Sequence, residues 1–169
     1  MRSRSRHDAE FAEFMAARAD RLFRSAMMLT LRRADAEDLV QTTLVKVYAS
    51  WAKVRRAEDP VAYSHGILHK TFLSERRRRS SGEVPVGEQF DQADPDAGDP
   101  ADRIALFEAL GELAPLDRAV VVLRHWEDLS VVQTAEALGL SEAAVKNRSL
   151  RALRVLRAGL DDPHLNGAQ

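Results

Sequence analysis

The chain has 169 residues, 45% of them hydrophobic and 30% charged, with a formal net charge of −1, a length that suits one ordinary domain or two small ones. It contains no cysteine, so disulfides and thiolate metal sites are excluded, and a cytoplasmic compartment is the simplest reading. The N-terminal MRSRSRHDAE carries charge with no apolar run behind it, and no stretch approaches ~18 apolar residues, so neither a signal peptide nor a membrane span is expected.

The small net charge conceals an asymmetry. Residues 1–80 hold 17 Lys and Arg against 10 Asp and Glu, residues 81–102 hold seven acids and no base, and residues 103–169 hold 8 bases against 9 acids. A basic first segment, an acidic joint and a near-neutral end suggest two nucleic-acid-facing modules and a tether.

In chain order, the first helix is predicted over Asp8 to Met28, where Phe11, Phe14, Met15, Ala19, Leu22, Phe23, Ala26 and Met27 recur at threes and fours. These read as plain core. A second helix starts near Asp35, a good N-cap, with Glu37 and Asp38 favourable in its first turn. Its apolar stripe is Val40, Leu44, Val47, Tyr48 and Trp51, and it ends about Lys53. Asp38 and Gln41 lie off that stripe, and on spacing alone they are solvated surface.

A short polar loop containing Arg55 and Arg56 leads to Asp59 and Pro60, a cap followed by proline at the first helical position. The third helix runs to about Arg79, with Tyr63, Ile67 and Phe72 among its core candidates, and closes on Arg76, Arg77, Arg78 and Arg79. Four guanidinium groups suit phosphate contacts and equally complement a helix C-terminus. His65 and His69 stand one turn apart, as a metal pair would, but no third ligand accompanies them and no metal is expected.

Residues 80–102, SSGEVPVGEQFDQADPDAGDPAD, replace periodicity with Pro, Gly and acid and read as a flexible linker. The 22 residues after Ser80 would span about 26 Å as a random coil and roughly 70 Å stretched. A fourth helix is predicted over Arg103 to Leu113, and a fifth from Pro115 to Glu127.

From Leu129 to Leu156 the chain reads as a helix-turn-helix. Ser130 caps the first helix, and Gln133 three residues later completes a capping box. Gly139 supplies a C-cap that tolerates positive φ, Leu140 plugs the corner, and Ser141 caps the second helix. In that second helix Val145, Ala152, Leu153, Leu156 and Leu160 share one face, away from Lys146, Asn147, Arg148 and Arg151. The first turns of such a helix enter the major groove, so Glu142, Ala143, Lys146 and Asn147 are candidates for the base edges. Arg148, Arg151 and Arg154 then lie nearer the phosphates.

The order and wording of three stretches resemble one family, the small extracytoplasmic-function sigma factors of bacterial RNA polymerase, within the sigma-70 superfamily. They are DAEDLVQTTLVKVYASW (35–51), DPVAYSHGILHKTFLSERRRR (59–79) and LAPLDRAVVVLRHWEDLSVVQTAEALGLSEAAVKNRSLRAL (113–153). The subgroup it most resembles is common in high-GC actinobacteria, and 21 Arg against 4 Lys fits that codon bias. The resemblance implies an all-α protein of two small helical domains: residues 8–80, similar to sigma region 2, and residues 103–160, similar to sigma region 4. An acidic linker over 81–102 joins them and a tail covers 161–169.

The resemblance also implies how the residues are used. The first domain would bind the clamp helices of core polymerase through Asp38, Leu39, Gln41 and Thr42. It would also melt the promoter's minus-ten element with Arg55, Arg56, His65, His69, Lys70, Arg76 and Arg77. The second would contact the polymerase flap and read the minus-thirty-five element with Ser141, Glu142, Ala143, Lys146, Asn147, Arg148 and Arg151. An anti-sigma protein is a further candidate partner. No cofactor and no catalytic activity are implied. Three positions depart from the family's wording: Thr42 stands where Glu is usual, Gly66 interrupts a helix at a cost of about 1 kcal/mol relative to Ala, and Ser149 stands where Leu is usual.

A stand-alone helix-turn-helix regulator is the alternative, but it leaves the DAEDLVQ helix unexplained. Pull-down of core polymerase separates the two. A nucleic-acid enzyme has no support in an acidic cluster of metal spacing, a nucleophile motif or a Gly-rich phosphate loop.

Overall fold

The computed structural model describes residues 2–80 and 99–161, all of its regular structure helical and with no strand among those residues. The predicted linker, save residues 99–102, and the tail beyond Asp161 lie outside the described residues.

The stretch expected to be one helix is two, α1 (Arg2–Ala16) and α2 (Ala19–Thr30). Arg18 makes the break: its Nη1 donates to the Phe14 carbonyl at 2.9 Å and its guanidinium sits 4.0 Å from the Phe14 ring, closing the end of α1. Apolar spacing continues across the break, so periodicity alone does not record it. The α2 helix ends at Leu31, a non-glycine residue at φ 63° whose N–H bonds the Met27 carbonyl. That conformation costs about 1 kcal/mol, and full burial of the leucine, worth roughly 1.5–3 kcal/mol, offsets it.

Next come α3 (Arg33–Ala49), which begins two residues before the expected Asp35 cap, and the single turn α4 (Trp51–Val54). In α5 (Pro60–Ser80), Asp59 Oδ1 accepts from the Ala62 N–H at 2.9 Å, so the predicted cap forms. Its buried face is Ser64, His65, Leu68, His69, Thr71 and Phe72, whereas Tyr63 is exposed. These five helices gather round Leu22, Leu29, Leu39, Val47, Trp51 and Leu68.

After the undescribed residues, Asp99 caps α6 (Pro100–Gly111), so helix begins inside the span read as linker. The predicted fifth helix is α7 (Pro115–Val121) continued by a π-helical turn over Val122–Trp126. Then follow α8 (Val131–Leu138) and α9 (Glu142–Leu160).

The two halves share a core. Leu31 and Met28 of the first half pack with Leu110, Leu113, Val121, Ala152 and Leu156 of the second, while Ala119 and Val122 of the second pack into the first. Arg118, 2% exposed, donates to the carbonyls of Leu29 (2.6 Å), Leu110 (2.9 Å) and Leu113 (3.2 Å). One guanidinium thus serves carbonyls at the end of α2 and around the α6–α7 turn. Gly66 has its reason here: a Cβ on it would stand 3.3 Å from Ala137 Cβ, so the glycine lets α5 approach α8 closely.

Candidate nucleic-acid interface

The helix-turn-helix forms as its local chemistry dictates. Ser130 Oγ accepts from the Gln133 N–H at 3.0 Å and Gln133 Oε1 accepts from the Ser130 N–H at 2.9 Å, the reciprocal bonds of a capping box. Gly139 takes φ 66° and closes α8, and Ser141 Oγ accepts from the Ala144 N–H at 3.1 Å to start α9. Val145, Ala152 and Leu156 are buried, which anchors α9 to α7 and α8 and turns Glu142, Ala143, Lys146 and Asn147 to solvent.

Arg148 and Arg151 are differently placed. Both donate to Asp117 on α7, Arg148 Nη1 at 2.7 Å and Arg151 Nη2 at 3.0 Å to each carboxylate oxygen. Ser149 Oγ lies 3.1 Å from His125 Nε2, so a polar contact to the π-helical turn stands at the position where Leu is usual. Burial lowers the His125 pKa, with Arg124 adding to the effect. Leu150 is 53% exposed on the same helix, an apolar residue on its outer side.

In the first half, Asp38 and Gln41 are exposed on α3 and Thr42 is half-buried beside them. Leu39 does not join that surface. It is 0% exposed, because neighbouring residues on a helix point about 100° apart and its side is the core side. Val45, 69% exposed and one turn on from Gln41, extends the patch instead. A valine on a helix is ordinarily core, so its residue type gives no signal of this exposure.

Arg55 and Arg56 are exposed after α4, and Arg55 Nη1 lies 3.3 Å from Glu10 Oε2. On α5, Lys70 and Arg77 are exposed and Arg76 is half-buried. His65 and His69 are interior, 1% and 0% exposed. Neither offers a ring atom to a ligand at the surface in this arrangement, because the second half packs over that face of α5. His65 Nε2 lies 3.4 Å from Glu127 Oε2, and the same buried carboxylate takes Arg21 Nε at 3.0 Å and the Ser25 hydroxyl. Burial lowers the His65 pKa against a smaller raising effect of Glu127, and burial with the neighbouring His65 holds His69 well below its ordinary value. No group of three His, Cys, Asp or Glu among the described residues could hold a metal ion.

Two regions of the chain match known family patterns: residues 14–82 match "Sigma-70 region 2" and residues 103–156 match "Sigma-70, region 4". The RNA polymerase sigma-E factor of Streptomyces avermitilis is 40% identical over 158 residues, covering 93% of this chain and 88% of the relative. The extracytoplasmic-function RNA polymerase sigma factor SigL of Mycobacterium tuberculosis is 31% identical over 147 residues, 83% of each chain. The sigma factor RpoE solved in complex with the anti-sigma factor NepR, from Bartonella quintana, superposes with a TM-score of 0.74 at 25% identity, over 89% of this chain and 96% of that one. The chain is a sigma factor of the extracytoplasmic-function branch.

As an RNA polymerase sigma factor it directs promoter-specific initiation, and its exposed groups divide along the two matched regions. Asp38, Gln41, Arg55, Arg56, Lys70 and Arg77 fall in the region 2 match, and Lys146 and Asn147 in the region 4 match. No helix among the described residues is long and apolar enough to cross a membrane. Two features of this sigma factor had no signal in the sequence reading: the Asp117 pairing with α9, and the burial of Glu127 against α2 and α5. Both depend on contacts between residues more than 30 apart.

Proposed function

We propose that the sigma factor divides promoter recognition between its two helical halves and carries no reaction of its own. The α3 face of Asp38, Gln41, Thr42 and Val45 docks on the clamp helices of core polymerase in the cytoplasm. Arg55, Arg56, Lys70, Arg76 and Arg77 meet the minus-ten element. Lys146 and Asn147 read the minus-thirty-five element, with Ser141, Glu142 and Ala143 at the groove floor and Arg148 and Arg151 toward the phosphates. The second half also meets the polymerase flap. An anti-sigma protein is a partner on the analogy of the relative bound to NepR.

One observation carries this reading. Lys146 and Asn147 are exposed within two turns of the Ser141 cap, on a helix held by a closed capping box and a glycine turn. Side chains so placed reach base edges when the helix enters the major groove. Lys146→Ala or Asn147→Ala should each cost about 1–3 kcal/mol on the preferred minus-thirty-five sequence and relax preference at one or two positions. Run-off transcription with purified core polymerase on a genomic promoter library identifies that sequence. Holoenzyme binding across a randomised element then tests the variants. A preference left intact in both would place the helix elsewhere.

A further inference from the structure

Asp117 stands in the first turn of α7 and is 7% exposed. Arg148 and Arg151, three residues apart, lie on one side of α9 and meet on this single carboxylate. Arg151 spends only Nη2 on it, leaving Nε and Nη1 on a side chain that is 61% exposed. Arg148 spends Nη1, and its side chain is 32% exposed. A carboxylate and a phosphate accept a guanidinium through the same pair of oxygens. Asp117 therefore fills, inside the protein, the place a backbone phosphate would take outside it.

Phosphate contacts supply affinity without sequence information, whereas base contacts discriminate. An acid among the backbone-facing arginines trades the first for the second. Two arginines and one aspartate leave a single net positive charge at this place. Both guanidiniums are also held in one orientation rather than sweeping over many phosphate positions. We propose that Asp117 is a positioning residue that sets specificity. It fixes Arg148 and Arg151 and withholds one unit of charge from sequence-independent attraction, so that Lys146 and Asn147 decide which sequence is kept. This rests on the reading of α9 as the minus-thirty-five reader.

The test uses the full chain assembled with core polymerase. The probes are duplexes bearing the minus-thirty-five sequence that wild-type holoenzyme selects from a randomised pool, and scrambled duplexes of the same length. With Asp117→Asn, scrambled DNA should bind several-fold tighter at the low-salt end of a series between about 50 and 200 mM. The slope of log K against log salt should steepen by ~0.9, and the ratio of selected to scrambled affinity should fall several-fold. In an Arg151→Gln background the same substitution should steepen the slope less, since part of the effect passes through Arg151. Asp117→Ser, which also removes the charge and keeps an acceptor, carries the same expectation and replaces the Asn variant should that one fail to fold. A purely structural role would lower the melting temperature and leave slope and ratio unchanged, and that result overturns the inference. Lys146→Ala is the control for the reading beneath it. Should it and Asn147→Ala both leave the preference intact, the reading of α9 and the role of Asp117 fall together; should either relax the preference while Asp117→Asn moves neither slope nor ratio, only the role of Asp117 falls.

Discussion

Asp38 and Leu39 are neighbours in sequence and opposites in environment. The resemblance places both at the polymerase-docking surface, yet only Asp38 is exposed, while Leu39 packs with Leu22, Leu29 and Leu68. Adjacent residues on an α-helix point about 100° apart, so a docking motif written as consecutive letters mixes partner-facing and core-facing side chains. The two substitutions should therefore fail in different ways. Asp38→Ala should weaken binding to core polymerase while leaving the melting temperature near wild type. Leu39→Ala should destabilise the fold by about 2–5 kcal/mol through lost burial and a cavity. A binding isotherm and a thermal melt on each variant make the separation. An Asp38→Ala isotherm superimposed on wild type would remove Asp38 from the docking surface.

At the scale of elements, legibility followed the range of the interactions. The helix-turn-helix was readable because its determinants are local. Ser130 and Gln133 bond within three residues, Gly139 needs only its own φ, and Ser141 caps its own helix. Ser130→Ala, which opens the capping box, should cost about 0.5–2 kcal/mol, more than a surface substitution elsewhere on α8. Urea unfolding of Ser130→Ala beside Glu136→Ala, an exposed position on α8, checks the difference. Equal losses would mean that packing against α9 and α5, rather than the cap, fixes the start of α8. The break between α1 and α2 is illegible for the complementary reason. It depends on the Arg18 side chain returning to Phe14, which apolar periodicity does not encode. The π-helical turn before Glu127 was likewise absent from the pattern, because Val122 and Leu123 keep helical spacing through it.

At the scale of the whole molecule, composition divides the chain into a basic and a near-neutral half but says nothing of how they meet. The residues that join them, Arg118, Glu127, His65 and Ser25, are polar types whose default reading is surface. Their burial is a property of the assembled chain. The joint is therefore where the protein's pH dependence should lie. His69 is fully buried with neither ring nitrogen partnered, and His65 faces Glu127 with Arg21, Arg18 and Asp59 also acting on its charge. Burial holds the pKa of both rings below the ordinary value in the folded chain, most strongly at His69, whereas in the unfolded chain they take up protons below about pH 6.5. The unfolded state then binds more protons, so stability is fully present above about pH 6.5 and is lost as pH falls below it. The loss is at most about 1.4 kcal/mol per pH unit for each histidine. Ordinary carboxylates titrate lower, near 4, which leaves a window in which His65 and His69 act together with His125, its pKa also lowered. His69→Leu, which removes the titrating group and two unpartnered nitrogens at similar volume, should flatten the decline of stability between about pH 6.5 and pH 5. It should cost little near pH 8, since no hydrogen bond is broken. Urea unfolding of the full chain at the three pH values measures it. A His69→Leu profile as steep as wild type would move the proton uptake to His65 or to another group.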